Sequence, residues 1–164
     1  MSWPQRVGVA ASIASLAAVV ALAQDRPDFT GKWTRAQPPL SPGDSYVQTV
    51  TQTDSQITLQ VQSSGSAGPM GFAYHGDPHT YTIGGPAELK KDTDGSVRAV
   101  AVSWDGLRLV FVRTTTEGAN VTTERESWSL SADGQELTKE TETTSWRGTS
   151  RGRTVLQRAA AKST

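Results

Sequence analysis

The chain has 164 residues, 16 basic and 16 acidic side chains, and a hydrophobic fraction of 35%, enough for one domain with its own core. Its formal net charge is zero, so no basic surplus marks nucleic acid as a partner. The absence of cysteine excludes a disulfide framework, a thiolate metal site, a cysteine nucleophile and a lipid anchor carried on cysteine.

Met1 to Arg6 carries one positive charge, and Val7 to Leu22 is an unbroken run of apolar, small and hydroxyl residues. Ala21-Leu22-Ala23 then has the small-x-small form read by signal peptidase. The run is shorter than the roughly 20 residues of a bilayer-spanning helix, and no basic stop follows it. Residues 1–23 therefore read as a cleaved signal peptide, with a retained membrane anchor as the alternative, and no membrane span is expected after cleavage. Export without cysteine fits a bacterial periplasm or the cell exterior better than a eukaryotic secretory route. The Asn120-Val121-Thr122 sequon then reads as an accident of a Thr-rich strand.

From Gln24 to Arg158 the pattern is strand, short turn, strand. Gly31-Lys32-Trp33 follows an irregular segment. Gly lets the chain turn inward there, and the indole plugs one end of a barrel or simply starts a sheet. After the Pro-rich stretch Ala36 to Asp44, Tyr46 to Thr53 and Gln56 to Gln62 form a hairpin around Asp54-Ser55. Ile57, Leu59 and Val61 alternate with Thr58, Gln60 and Gln62, the period of a strand buried on one face. A Gly/Ser-rich loop, Ser63 to Gly71, leads to the short strands Phe72 to His75 and Thr80 to Ile83, split by Gly76-Asp77-Pro78. Gly84-Gly85-Pro86 turns into a run ending at Lys91, and Asp92 to Gly95 is a polar turn.

Val97 to Arg113 is the most apolar segment of the mature chain, two β-branched runs around Asp105-Gly106. That dipeptide predicts a type I′ hairpin, and the pair is expected at the centre of the sheet. Thr114 to Gly118 reads as the next turn and Asn120 to Ser131 as a strand. Ala132-Asp133-Gly134 turns into Glu136 to Trp146, Arg147 to Arg151 is a connection, and Gly152 to Arg158 is the last strand. Residues 159–164 are expected to be a disordered tail. No helical period persists beyond residue 23. The fold class expected is all-β: a single up-and-down antiparallel barrel of about eight to ten strands, since closure removes exposed edges, with a two-sheet β-sandwich as the alternative.

Gly31-Lys32-Trp33, Val50 to Leu59, Tyr81 to Pro86, Trp104 to Leu109, Glu126 to Gly134 and Arg153 to Arg158 resemble, in that order, a group of exported bacterial lipocalin-like proteins. The resemblance spans nearly the whole mature chain. It implies a lipocalin-like barrel and binding of a small apolar molecule, and carries over no catalytic residues. The group's Asp-Gly is replaced here by Gly84-Gly85, which serves the same turn.

Trp33, Phe72, Tyr81, Trp104, Phe111 and Trp128 are the candidate ligand-binding side chains, each able to stack on a planar or apolar molecule or to fill the core. His75, Asp77 and His79 are the clustered set of candidate metal ligands, with Glu88 or Asp44 as a third contributor. Gly76 and Pro78 place them in a loop, where the alternative is two solvated imidazoles. Glu124, Glu126, Glu140 and Glu142 alternate on two strands expected to pair. They read as a solvated outer face unless Arg113, Arg125 or Lys139 compensates them. No Gly-x-Ser-x-Gly elbow occurs, against a serine hydrolase. The basic residues Arg147, Arg151, Arg153, Arg158 and Lys162 read as solubilising charge or as a contact for an anionic surface. The functional reading is a non-catalytic exported protein binding a small apolar or amphipathic molecule, without a cofactor. The alternatives are a metal-dependent hydrolase or isomerase at the barrel mouth, and a periplasmic inhibitor or envelope interaction protein.

Overall fold

A computed structural model describes residues 26–38, 40–65 and 72–160, except for the side chain of Phe72. The expected signal peptide at 1–23 lies outside these, as do 161–164 of the expected tail. Eleven strands run β1 Gly31–Gln37, β2 Ser45–Gln52, β3 Gln56–Gly65, β4 Phe72–His75, β5 His79–Thr82, β6 Glu88–Lys91, β7 Val97–Asp105, β8 Arg108–Glu117, β9 Asn120–Leu130, β10 Glu136–Ser145 and β11 Gly148–Arg158. The described residues contain no helix, and so none long and apolar enough to cross a membrane.

All strands join one antiparallel sheet in the order β4-β3-β2-β1-β11-β10-β9-β8-β7-β6, with β5 also paired to β3. The sheet curls until β5 meets β7. There a single parallel bridge, Ile83 to Val102, and the Gly84 amide donating to the Val102 carbonyl at 2.7 Å span the seam. No continuous ladder closes it. The architecture is a lipocalin-like rolled sheet with one enclosed face, and not two stacked sheets. The two short strands β4 and β5 both lie along β3, on either side of Gly76-Asp77-Pro78, and bring the count to eleven.

Four expectations are corrected. The β7–β8 loop is Gly106-Leu107, since Asp105 pairs with Arg108. Gly106 has φ +60° and no described non-Gly residue has positive φ. Gly in the first central position with an ordinary residue after it is the type II′ arrangement, in place of type I′. Thr114 to Glu117 extends β8 and does not turn, because Thr114 and Thr115 face Thr123 and Thr122 on β9, and β-branched pairs suit a pleated ladder. Likewise β11 begins at Gly148, opposite Ser145. Finally, β7 and β8 lie near one end of the strand order. β1 and β11 lie side by side near its middle, a pairing of residues more than 100 positions apart that no local pattern announces.

The core sits on the concave face, at one end. Phe29, Trp33, Val50, Ile57, Val102, Leu109, Phe111, Trp128, Leu137 and Leu156 form one buried cluster. The Phe29 ring lies 6.1 Å from that of Trp104 and 5.7 Å, edge-on, from that of Trp128. Trp33 is wholly buried and its indole donates to the Phe29 carbonyl at 2.9 Å. Arg158 closes this end from outside: its guanidinium lies 4.3 Å over the Trp33 ring and donates to the carbonyls of Thr30 (2.6 Å) and Gly134 (2.9 Å). Gly31 has φ +149°, a conformation that side chains with a Cβ rarely adopt, and a Cβ there would also displace the end of Arg158, falling 2.5 Å from its Nη1. Ala159 still donates to the Lys32 carbonyl at 2.8 Å, which ties down the start of the expected tail.

Candidate functional site

Strand alternation and the ladder registers decide which side chains share the concave face with that core. Along β1 the inward row is Trp33 then Arg35; along β2, Val50, Gln48, Tyr46; along β8, Leu109, Phe111, Arg113; along β9, Trp128, Glu126, Glu124; along β10, Leu137, Lys139, Thr141. Each row passes from apolar to polar towards the same end. Exposure rises in step: Trp128 is 0% exposed, and the side chains of Glu126 and Glu124 are 16% and 37% exposed. The structure is thus a plugged floor below a polar, open mouth. Between them Tyr46, Leu59, Tyr81 and Val100 pack on the core while remaining only partly buried.

The polar layer is one electrostatic unit. Arg113 donates to Glu124 at 2.7 Å and approaches Glu126 at 3.6 Å. Glu126 also accepts the Trp128 indole N–H at 2.7 Å. Lys139, only 8% exposed, lies 4.2 Å over the Trp128 ring and donates to Gln48 Oε1, which also accepts the Tyr46 hydroxyl at 3.1 Å. Arg35 lies 4.8 Å over the Tyr46 ring. Two donors here and at the floor, Arg35 Nε and Trp104 Nε1, are buried with no hydrogen-bond partner among the described residues. A buried donor left unpaired costs about 1–3 kcal/mol, so each is a place where an acceptor is wanted.

Ionisation reports the same crowding. Burial lowers the Lys139 ammonium from 10.5 to about 8; Glu126 opposes this, while Arg113 and Arg35 add to it. Burial raises the Tyr46 hydroxyl, with Arg35 pulling it down and Glu126 pushing it up. Tyr81 is raised by burial too, against the pull of Arg113. For Arg113, burial works against the charge, but Glu126 and Glu124 outweigh it and hold the guanidinium above its ordinary value.

Of the aromatic candidates, Trp33, Phe111 and Trp128 are fully enclosed in the floor. Trp128 still presents a face to Lys139. Trp104 packs against the floor but is only partly buried. Tyr81, opposite Ile57, lies edge-on to Phe111 at 5.8 Å and packs, partly buried, against the floor. The Phe72 side chain lies outside the described residues. His75 and His79 are not brought together: His75 pairs with Gln62 and His79 with Leu59, positions on opposite faces of β3. His75 Nε2 lies 3.3 Å from Gln62 Nε2, and His79 Nε2 lies 3.2 Å from Glu88 Oε2. The described residues hold no group of three or more His, Asp or Glu disposed to bind a metal.

The four glutamates divide between the faces, because Glu126 is opposite Thr141 and Glu140 is opposite Ser127. Glu124 and Glu126 point inward to Arg113, contrary to the solvated reading, with Arg113 as the compensating cation. Glu140 and Glu142 face outward, bonded to Arg108 (2.9 Å) and Arg151 (2.7 Å). With Arg125 and Arg153 they line an outer cleft of about 570 Å³. Glu140, Glu142, Arg125 and Arg151 are paired across strands and Arg153 reaches the Thr138 hydroxyl, the usual state of a solvated sheet face. The residues the sequence reading passed over are Arg35, Tyr46 and Gln48. The signal for them was the inward parity of β2, readable only with the β1 register fixed.

No family model and no curated protein matches this chain. Solved structures do. Two secretory abundant heat soluble proteins of Ramazzottius varieornatus superpose with TM-scores of 0.50 and 0.52 at 11% and 14% identity. The matches cover 80% and 84% of this chain and 95% and 100% of theirs. A zebrafish ileal bile acid-binding protein in complex with cholic acid gives 0.48 at 16% identity, over 80% of this chain and 98% of its own. The likeness to the heat soluble proteins is one of fold: these are lipocalin-like and fatty-acid-binding-like β-barrels.

Proposed function

We propose that this protein is an exported, non-catalytic carrier of a small amphipathic molecule. Its apolar part rests on Leu59, Tyr81 and Val100 above the floor, and its oxygen-bearing head meets Arg35, Tyr46 and Lys139. The observation that carries the reading is a buried lysine, Lys139, in the same layer as the half-buried Arg35, whose Nε is enclosed without a hydrogen-bond partner among the described residues. Ordinary core packing would exclude the lysine, because a buried charge is retained only where it is matched or used. The hydroxyl-rich inward rows of β10 and β11 beyond Lys139 leave an open approach: the Cβ position of Gly152 meets nothing within 4 Å. Export rests on the N-terminal pattern alone, and residue 24 is the expected mature start in a bacterial periplasm or outside the cell.

Displacement of bound anilinonaphthalene sulfonate, an anionic amphipathic fluorophore, tests the reading. Dodecanoate and dodecanol should displace it saturably at one site, and dodecyltrimethylammonium should not. The reading fails if the fluorophore does not bind saturably, or if the cationic chain competes as well as dodecanoate.

A further inference from the structure

Lys139 has features that simple recognition of a head group does not require. Its Nζ is held by an amide oxygen, that of Gln48, while the two carboxylates of the layer are engaged by Arg113 and by the Trp128 indole. A lysine meant only as a counter-ion would gain most from a direct carboxylate partner. Instead the amine sits 4.2 Å over the Trp128 ring and feels the charges of Arg113 and Arg35. Lys32, Lys90 and Lys91, the other described lysines, are all exposed.

We propose that Lys139 is a nucleophilic amine that captures apolar aldehydes from the barrel interior as a reversible imine. The inference rests on the interior-binding reading above and names a ligand class for it. In the step, the nitrogen lone pair of neutral Lys139 bonds to the carbonyl carbon and the C=O π pair moves to oxygen. One N–H proton passes to that oxygen, giving the carbinolamine. The carbinolamine then loses its hydroxyl with the second N–H proton as water, leaving C=N. No oxidant or reductant takes part, and hydrolysis reverses the step. Gln48 Oε1 orients the N–H bonds. Arg35 Nε supplies a donor for the developing alkoxide, which answers its lack of a partner. Once protonated, the imine would have Glu126 as the nearest inward carboxylate on the neighbouring strand, at the position after Trp128 in its row. Burial supports the same role, since an amine near 8 is far more often neutral at pH 7.5 than an exposed lysine.

Incubation of the whole protein with decanal and sodium cyanoborohydride, which fixes an imine as a secondary amine, tests this by intact mass and peptide mapping. Lys139 should be alkylated about tenfold or more faster than Lys32, Lys90 or Lys91 at pH 7.5, with a rate that rises and levels near pH 8. Lys139→Arg should lose that label, while an unchanged far-ultraviolet circular dichroism spectrum and a cooperative urea transition show that it is folded. If decanal displaces the fluorophore but labels the exposed lysines as fast as Lys139, covalent capture is refuted and interior binding stands. If decanal neither displaces the fluorophore nor labels Lys139, both readings fall.

Discussion

Replacing Lys139 by Met should stabilise the protein at neutral pH, although it removes a hydrogen bond. Lowering the ammonium from 10.5 in the unfolded chain to about 8 in the fold means that holding it charged and buried costs about 3 kcal/mol. Met keeps the length and the contact with the Trp128 ring. The substitution forgoes the bond to Gln48 Oε1, which keeps the Tyr46 hydroxyl as a donor, and the cation–π contact, together about 1–2 kcal/mol. The net gain at pH 7 is therefore about 1–2 kcal/mol, or roughly 3–6 °C in Tm. The sign with pH follows from the depressed value. Below pH 8 the lysine is charged in both states and wild type bears the whole cost. Between about 8 and 10.5 the folded lysine releases its proton while the unfolded chain still holds one, so wild type gains stability as pH rises. By pH 10 it recovers roughly 2.5 kcal/mol, and the advantage of the variant disappears or reverses. Tyr46 and Tyr81 are present in both proteins, so their titration largely cancels from the difference. Urea unfolding of the two proteins at pH 7 and pH 10 measures it. A variant less stable at pH 7 by the same margin as at pH 10 would refute the claim that the ammonium is buried at a cost.

Arg158→Ala should cost about 2–3 kcal/mol in urea unfolding, since it removes two carbonyl partners and the cation over Trp33; a loss under about 0.5 kcal/mol would mean that the floor seals without it. Trp128→Phe keeps an aromatic ring but strips Glu126 of its indole donor. It should cost about 1–3 kcal/mol and weaken fluorophore binding, both absent if Glu126 is already solvated. Gly106→Ala should cost about 1 kcal/mol through the φ of +60° at that position, read as a shift in urea midpoint without a change in slope. Zinc should leave Tm unchanged and show no saturable heat of binding, because His75 and His79 face opposite sides of the sheet; a one-to-one isotherm lost in His79→Ala would overturn that assignment.

Much of the strand map was legible along the chain because it is local. Alternation in Ile57 to Gln62, the Gly-x-Trp entry and the polar dipeptides between apolar runs each act over a few residues, where φ/ψ preference and burial period are decisive. The β4 and β5 segments and the breaks around them were readable for the same reason. Turn type was less so. Asp105-Gly106 admits two hairpin loops one residue apart, and the cross-strand fit of Trp104 to Leu109 and Val102 to Phe111 selects the one with Gly first.

The candidate site was mostly hidden. Glu126 and Lys139 are ordinary polar residues in Thr-rich strands, and alternation alone leaves the parity of such strands undetermined. Their inward direction is set by Trp128 and Leu137, anchored two residues away in a core that exists only when β1 pairs with β11. Arg35 and Tyr46 reach the same layer from the opposite end of the chain. The amino-acid order by itself determined an all-β meander and its breaks, since those follow from short-range periodicity. Only the tertiary structure decided which face each late strand turns inward. With that decided, two guanidinium groups, a lysine and two carboxylates share one half-enclosed layer, because register is a long-range property fixed by packing and a slip of one residue would turn every one of them to solvent.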